Sequence, residues 1–172
     1  MISCDEKIYK KTKKFLEEKN DPNILEKLKV IEEVLNIKNK EERLYYLYDL
    51  ICNYLDKEFK DNNICEFKCN ICIRGRDAID RKIKKETYKN GCCYNGMSKQ
   101  NCMYLEEDGT CKTKNIGCKL FTCHYLKKKG YKYRINDIYL AKYFFNLRQK
   151  FYIESAFRLS KEEVIKGILE RG

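Results

Sequence analysis

Nine of the eleven cysteines lie between positions 65 and 123, and this cluster constrains the fold more than any other feature of the chain. It could be a disulfide framework, a metal centre, or one reactive thiol among bystanders. The N-terminal sequence MISCDEKIYKK lacks the apolar stretch of a signal peptide, so we expect a cytoplasmic protein. Thiols stay reduced there, and clustered thiols are more often metal ligands. Because eleven is odd, full pairing within the chain is excluded, and the cluster predicts a metal centre.

The spacing of the first cysteines suits a metal ion. Cys69 and Cys72 form a Cys-x2-Cys pair, whose short turn lets both sulfurs reach one ion at about 2.3 Å. With Cys65 the spacing also matches the cluster loop of radical S-adenosylmethionine enzymes, but we find none of the βα units that such enzymes need. Cys92 and Cys93 are adjacent and lie between glycines, so they either bridge one site or supply two.

The later cysteines complete the candidate set. An Asp-Gly step between Cys102 and Cys111 predicts a turn that brings these two thiols together. His124 follows Cys123 directly. A lone histidine is more often a surface or packing residue, but among thiolates its imidazole is a plausible ligand. The predicted metal ligands are Cys65, Cys69, Cys72, Cys92, Cys93, Cys102, Cys111, Cys118, Cys123 and His124. Thiolates suit Zn²⁺ or an iron–sulfur cluster better than Mg²⁺ or Ca²⁺, so we predict one or two sites for zinc or iron–sulfur.

Two stretches within this segment carry a family resemblance. CMYLEEDGTC followed by CKLFTC is similar to the second half of the YkgJ-type cysteine-cluster family, and CNIC with GCC matches its first half around an insertion. The match covers residues 65–125. Members usually carry Arg-Pro where this chain has Asn115-Ile116-Gly117. The resemblance implies zinc or iron chelation and, for some relatives, protein lysine N-methylation.

Helical signals flank the cysteine-rich segment. Asp21-Pro22 is a helix start, because proline lacks the N–H that would be unpaired there. Asn39 and Ser160, each followed three residues later by glutamate, predict capping boxes. Apolar residues recur at helical spacing in four stripes: Ile24, Leu28, Ile31, Leu35; Leu44, Leu47, Ile51, Leu55, Phe59; Leu140, Phe144, Leu147, Phe151; and Val164, Ile165, Ile168, Leu169. Cys52 lies beside Ile51, and we predict that it packs as a small buried apolar residue.

These patterns predict a mainly α protein, with helical segments packed around a central cysteine-rich, metal-organised module that has little regular structure. We assign residues 1–63 to an N-terminal helical region, 64–126 to the metal-binding module and 127–172 to a C-terminal helical region, together forming one compact domain. Such a module draws its organising energy from metal rather than from apolar burial.

The formal net charge of +11 favours nucleic acid or an acidic protein as a partner. A solvated surface on a lysine-rich chain would give the same charge. The candidate nucleic-acid residues are Arg74, Arg76, Arg81, Lys82, Lys127, Lys128, Tyr131, Tyr133 and Arg134. With a mean hydropathy of −0.71 and no run of 18 apolar residues, we expect no membrane association.

The sequence contains no phosphate-binding glycine loop, no Gly-x-Ser-x-Gly elbow and no His-Glu-x-x-His, and it has a single histidine. It therefore leaves open whether the chain is an enzyme. Three functions fit: a cysteine-cluster metal-binding protein that presents a basic surface to a partner, an iron–sulfur enzyme with redox or lysine N-methylation activity, and a zinc-stabilised nucleic-acid-binding protein.

Overall fold

The computed structural model describes residue 13 and residues 22–61, 67–68, 71–72, 94–95, 100–101, 104, 111–122, 126–127 and 129–172. These residues are mainly helical, as predicted. The helices are α1 (Pro22–Asn36), α2 (Lys40–Asp61), α3 (Ile116–Leu120), α4 (Tyr139–Phe144), α5 (Leu147–Ser155) and α6 (Lys161–Glu170), with a 3-10 turn at Ile135–Asp137.

The described residues of the cysteine-rich segment include four two-residue strands. They are β1 (Phe67–Lys68), β2 (Ile71–Cys72), β3 (Tyr94–Asn95) and β4 (Gln100–Asn101). β1 pairs antiparallel with β2, which places Phe67 opposite Cys72, and β3 pairs antiparallel with β4. How the module is organised beyond these two ladders stays a prediction.

The helices begin where local chemistry predicts. α1 starts at Pro22. The Asn39 carboxamide oxygen accepts the amide hydrogens of Glu41 and Glu42 at 2.9 and 3.1 Å, and α2 begins at Lys40. Ser160 caps α6 with both arms of a capping box, since its hydroxyl accepts from the amide of Glu163 and the Glu163 carboxylate accepts from the amide of Ser160. Each cap satisfies amide groups that the first helical turn leaves unpaired.

One apolar core joins the helices. α2 contributes the longest buried stripe and packs against α1, α3, α4 and α6, while α5 packs against α3 and α6. An ion pair between Lys161 of α6 and Asp49 of α2, at 2.7 Å, ties two of these elements at the core's edge. The largest fully buried side chains are Tyr48, Phe144, Ile31, Leu44, Leu47, Ile51, Leu55, Ile116, Ile135, Leu140, Ile153 and Ile165.

The third predicted stripe is wrong in its second half. Leu140 and Phe144 are buried, but Leu147 and Phe151 are exposed. Helix α4 ends at Phe144 because Phe145 has extended backbone geometry, and a new helix, α5, starts after Asn146, which caps it. This break rotates the second helix relative to the first, so that the two later residues face outward.

Within the described residues, no helix is long and apolar enough to cross a bilayer.

Candidate metal centre beside helix α3

The structure describes three of the ten predicted ligands. Cys72 lies in β2, Cys111 precedes α3 at a single bridge-paired position, and Cys118 lies in α3. Cys111 and Cys118 are both half-buried. The other predicted ligands lie outside the described residues: Cys65, Cys69, Cys92, Cys93, Cys102, Cys123 and His124. The described residues by themselves contain no group of three or more His, Cys, Asp or Glu side chains placed to hold a metal ion.

The Cys118 sulfur has a fixed position and a fixed hydrogen-bond donor. The backbone amide of Cys118 donates to the side-chain oxygen of Asn115 at 2.8 Å, and Asn115 thereby caps α3. The Cys118 Sγ accepts the backbone N–H of Arg158 at 3.3 Å, and Arg158 has a positive φ of 62°. Backbone N–H groups aimed at sulfur stabilise a thiolate, and such hydrogen bonds tune metal–thiolate sites. A non-glycine residue in this region is strained, and such strain concentrates at functional sites.

Asn115 connects the turn that carries Cys118 to the loop between α5 and α6. Its side-chain amide donates to the carbonyl oxygens of Ala156 and Leu159 at 2.6 and 2.9 Å, while its oxygen accepts from Cys118. The Asn115 side chain is fully buried, and its bond to Ala156 is buried while the other two are partly buried. One side chain therefore positions both Cys118 and the loop that holds its donor, Arg158.

Gly117 allows α3 to lie directly on α5. A Cβ atom at this position would collide with the carbonyl oxygen of Ile153, which is backbone and cannot swing away. On the other side of α3, the amide of Ile116 donates to the phenol oxygen of Tyr48 at 3.0 Å. Burial raises the pKa of Tyr48, so its phenol stays protonated. The short helix is thus fixed from two directions.

Lys119 places a buried positive charge next to Cys111. Its side chain is only 3% exposed, forms an ion pair with Asp56 of α2, and lies 3.4 Å from the carbonyl oxygen of Cys111. The Asp56 carboxylate balances this charge, and the Lys119 contact fixes the backbone of Cys111 relative to α2.

Cys52 behaves differently from the candidate ligands. It is fully buried in the apolar core, which confirms its predicted packing role. Burial raises the pKa of the Cys52 thiol to about 12, although the nearby charge of Lys119 opposes this effect. Cys52 is therefore a core residue that stays protonated at neutral pH.

The second predicted basic segment forms part of the surface near α3. Lys127, Tyr131 and Arg134 are exposed, whereas Tyr133 is half-buried with its ring 5.1 Å from that of Phe59. The remaining candidate nucleic-acid residues lie outside the described residues: Arg74, Arg76, Arg81, Lys82 and Lys128.

Two exposed phenylalanines that the sequence did not single out lie in the same area. Phe121 is 50% and Phe157 47% exposed, and their rings meet edge to face at 6.1 Å. The Lys127 ammonium lies 5.8 Å from the Phe121 ring centre. Both rings and Lys127, together with Lys132, line an open pocket of about 160 Å³.

Comparisons with protein-family models, with curated proteins and with solved structures found no significant match. The resemblance to the YkgJ-type family therefore stays a prediction.

Proposed function

We propose that this protein is a cysteine-cluster metal-binding protein. Cys111 and Cys118 contribute thiolates from the helical side, and the other ligands come from the predicted set between Cys65 and His124. The metal is zinc or iron in an iron–sulfur cluster, both of which take thiolate ligands.

The observation that carries this proposal is the environment of Cys118. A half-buried sulfur accepts a backbone N–H from Arg158, a residue held in a strained conformation by the loop that Asn115 fastens. A cysteine that only filled space would resemble Cys52, which is fully buried inside the apolar core. Lys119 adds support of a structural kind, because its buried ammonium ties the backbone of Cys111 to Asp56 of α2.

The test is the metal content of the protein purified without oxygen. Zinc, iron and acid-labile sulfide are measured per chain for the native protein, Cys118→Ser and Cys52→Ala. We expect about one or two zinc ions, or iron with matching sulfide, in the native protein. Cys118→Ser should lose metal, and Cys52→Ala should retain it, since Cys52 lies in the core. A folded, monomeric protein that contains no metal and keeps its melting temperature in a strong chelator would contradict the proposal.

The same measurement separates the two kinds of metal protein. Zinc in a colourless sample favours a structural role for the cysteines. Iron with sulfide favours the iron–sulfur alternative, and binding of S-adenosylmethionine would then support the methylation activity that the family resemblance implies.

A second candidate function is binding of single-stranded nucleic acid, and the exposed pair of Phe121 and Phe157 favours it. Exposed aromatic rings stack on bases irrespective of sequence, while nearby cations bind the phosphates. Lys127 and Lys132 line the same pocket as the two rings. The predicted candidates Tyr131 and Arg134 are also exposed.

This candidate is tested with a fluorescently labelled poly-thymidine oligonucleotide. We expect salt-dependent binding that weakens about tenfold in Phe121→Ala or Phe157→Ala. Phe151→Ala is the matched control, because Phe151 is an exposed phenylalanine on α5 that does not line the pocket. Nucleic-acid binding at this pocket would be contradicted if all three variants weakened oligonucleotide affinity equally. It would also be contradicted if none of them changed it.

A further inference from the structure

Helix α5 presents two large apolar side chains to solvent. Leu147 is 79% and Phe151 76% exposed, and residues four positions apart lie on the same face of a helix. The opposite face carries Gln149 and Ile153, both buried. Burying such side chains is favourable, and contiguous exposed apolar surface marks interaction sites.

The outward orientation of this pair is fixed by polar contacts on the other side of the helix. The buried amide of Gln149 donates to the carbonyl oxygen of Ile168 at 3.1 Å, and its oxygen accepts the amide of Asn146 at 3.0 Å. Asn146 in turn donates to the carbonyl oxygen of Arg171 at 3.2 Å. Rotating α5 to bury Leu147 and Phe151 would break these bonds, so the exposure is a property of the fold.

Cationic side chains on α4 and α5 lie beside the apolar pair. Arg148 and Lys150 flank it on α5, and the Lys150 ammonium lies 3.5 Å from the carbonyl oxygen of Lys142 on α4. Burial and the charge of Lys142 lower the pKa of Lys150. Among the ion pairs between described residues, none includes Lys142, Arg148 or Lys150.

Glu154, the acidic residue on the same helix, does not neutralise this rim. Its carboxylate accepts the backbone N–H of Ile135 at 2.9 Å, which directs it towards the 3-10 turn. The surface therefore combines an apolar centre with cations that have no carboxylate partner in the described part of the chain.

We propose that this surface, formed by Leu147 and Phe151 with Lys142, Arg148 and Lys150, binds an acidic segment of a partner protein that also carries apolar side chains. The partner's carboxylates pair with the three cations, and its apolar residues cover the leucine and phenylalanine. Interfaces of this kind depend on a few central apolar anchors with a polar rim.

Charge and shape disfavour the other occupants. A second copy of the same surface would place like charges opposite one another. Nucleic acid would gain charge pairing but would leave Leu147 without a stacking partner. A lipid surface would receive only two large apolar side chains from a nine-residue helix, whereas interfacial helices insert a longer apolar face.

The test uses the full chain and a fluorescein-labelled synthetic amphipathic peptide of about 18 residues built from glutamate and leucine. A matched peptide carries glutamine in place of glutamate. By fluorescence anisotropy, we expect the acidic peptide to bind, and its affinity to fall about tenfold in Leu147→Ala or Phe151→Ala and several-fold in Lys150→Glu. The glutamine peptide should bind more weakly.

Two control variants separate the surface from general effects. Lys29→Glu makes the same charge change at an exposed position on α1, and Tyr46→Ala removes an exposed ring on α2; neither should alter peptide affinity. Equal affinity of native protein and Phe151→Ala would overturn the proposal, as would equal affinity for the two peptides. It would also be overturned by tighter binding to phosphatidylglycerol vesicles, or by a dimer in sedimentation that Phe151→Ala dissociates.

Discussion

The buried side chain of Asn115 makes three hydrogen bonds, one to Cys118 in α3 and two to the loop between α5 and α6. Asn115→Ala removes all three bonds, and we expect it to lower the free energy of unfolding by about 3 kcal/mol. Asn115→Asp keeps the cap on Cys118 but turns two donors into an acceptor facing two carbonyl oxygens. Urea unfolding should show that the aspartate variant loses at least as much stability as the alanine variant. If aspartate is close to native, the two donor bonds contribute little.

Cys52 and Tyr48 make stability depend on alkaline pH. Burial raises the pKa of Cys52 from its ordinary value of 9.0 to about 12 and also raises the pKa of Tyr48. Both groups therefore stay protonated in the folded chain at a pH where the unfolded chain ionises. Their contribution is complete below the unfolded pKa values and is lost as pH rises towards the folded ones.

We therefore expect the free energy of unfolding to fall between pH 9 and 12, by up to about 1.4 kcal/mol per pH unit for each group. Urea titrations across this range measure the slope, and Cys52→Ala should make it shallower. An unchanged slope in that variant would show that Cys52 does not remain protonated in the folded protein.

The role of a residue could be predicted from the sequence only where it depends on neighbouring residues in the chain. The burial of Cys52 followed from its position beside a helical stripe and is confirmed. The roles of Asn115 and Gly117 could not be predicted, because their partners Ala156, Leu159 and Ile153 lie far along the chain. Asn-Ile-Gly stood out only as a departure from the family pattern.

At the scale of elements, helix starts were easier to predict than helix breaks. The starts at Pro22, Asn39 and Ser160 follow from side chains next to their own helix ends, and all three agree with the structure. The break at Phe145–Asn146 was missed, because Leu140 to Phe151 keeps helical spacing across it. The only local sign was Asn146 with Gln149 three residues later, a capping box inside an apolar stripe.

The helix break at Phe145–Asn146 depends on the cap that Asn146 forms, which a substitution can test. Asn146→Ala removes the side-chain oxygen that accepts the Gln149 amide at the start of α5. It also removes the side-chain amide that donates to the Arg171 carbonyl oxygen. We expect a loss of about 1–2 kcal/mol. Ser160→Ala, which removes a capping box at α6 without a further bond from the same side chain, should lose about 1 kcal/mol. Thermal unfolding monitored by circular dichroism compares the two, and a larger loss for Ser160→Ala would contradict this ranking.

For the molecule as a whole, the important feature is that the helices have a core of their own. Among the residues that the structure describes, this core draws on α1, α2, α3, α4, the 3-10 turn, α5 and α6, and Cys52 is its one cysteine. The two described candidate ligands next to α3, Cys111 and Cys118, are half-buried outside this core. Metal binding and helix packing are therefore expected to be largely separate sources of stability.

Removal of the metal tests this separation. Treatment with a strong chelator should leave most of the helical circular dichroism signal at room temperature, since neither Cys111 nor Cys118 belongs to the apolar core. It should also speed the alkylation of Cys118 and Cys111 by iodoacetamide, because a metal-bound thiolate is shielded from reagent. Cys52 should stay protected until the protein unfolds. Mass spectrometry of the cysteine peptides over time follows all three residues in one sample.

The helical signal and the alkylation rate test different parts of this prediction. Loss of the helical signal together with the metal would mean that the metal organises the helices as well, because a core with its own packing energy would survive chelation. Unchanged alkylation of Cys118 with the helices intact would argue against metal at that sulfur, and the N–H bond from Arg158 would then serve only to hold the loop.

Arg158→Gly keeps this N–H and relieves the positive φ, so it should retain metal and gain up to about 1 kcal/mol of stability.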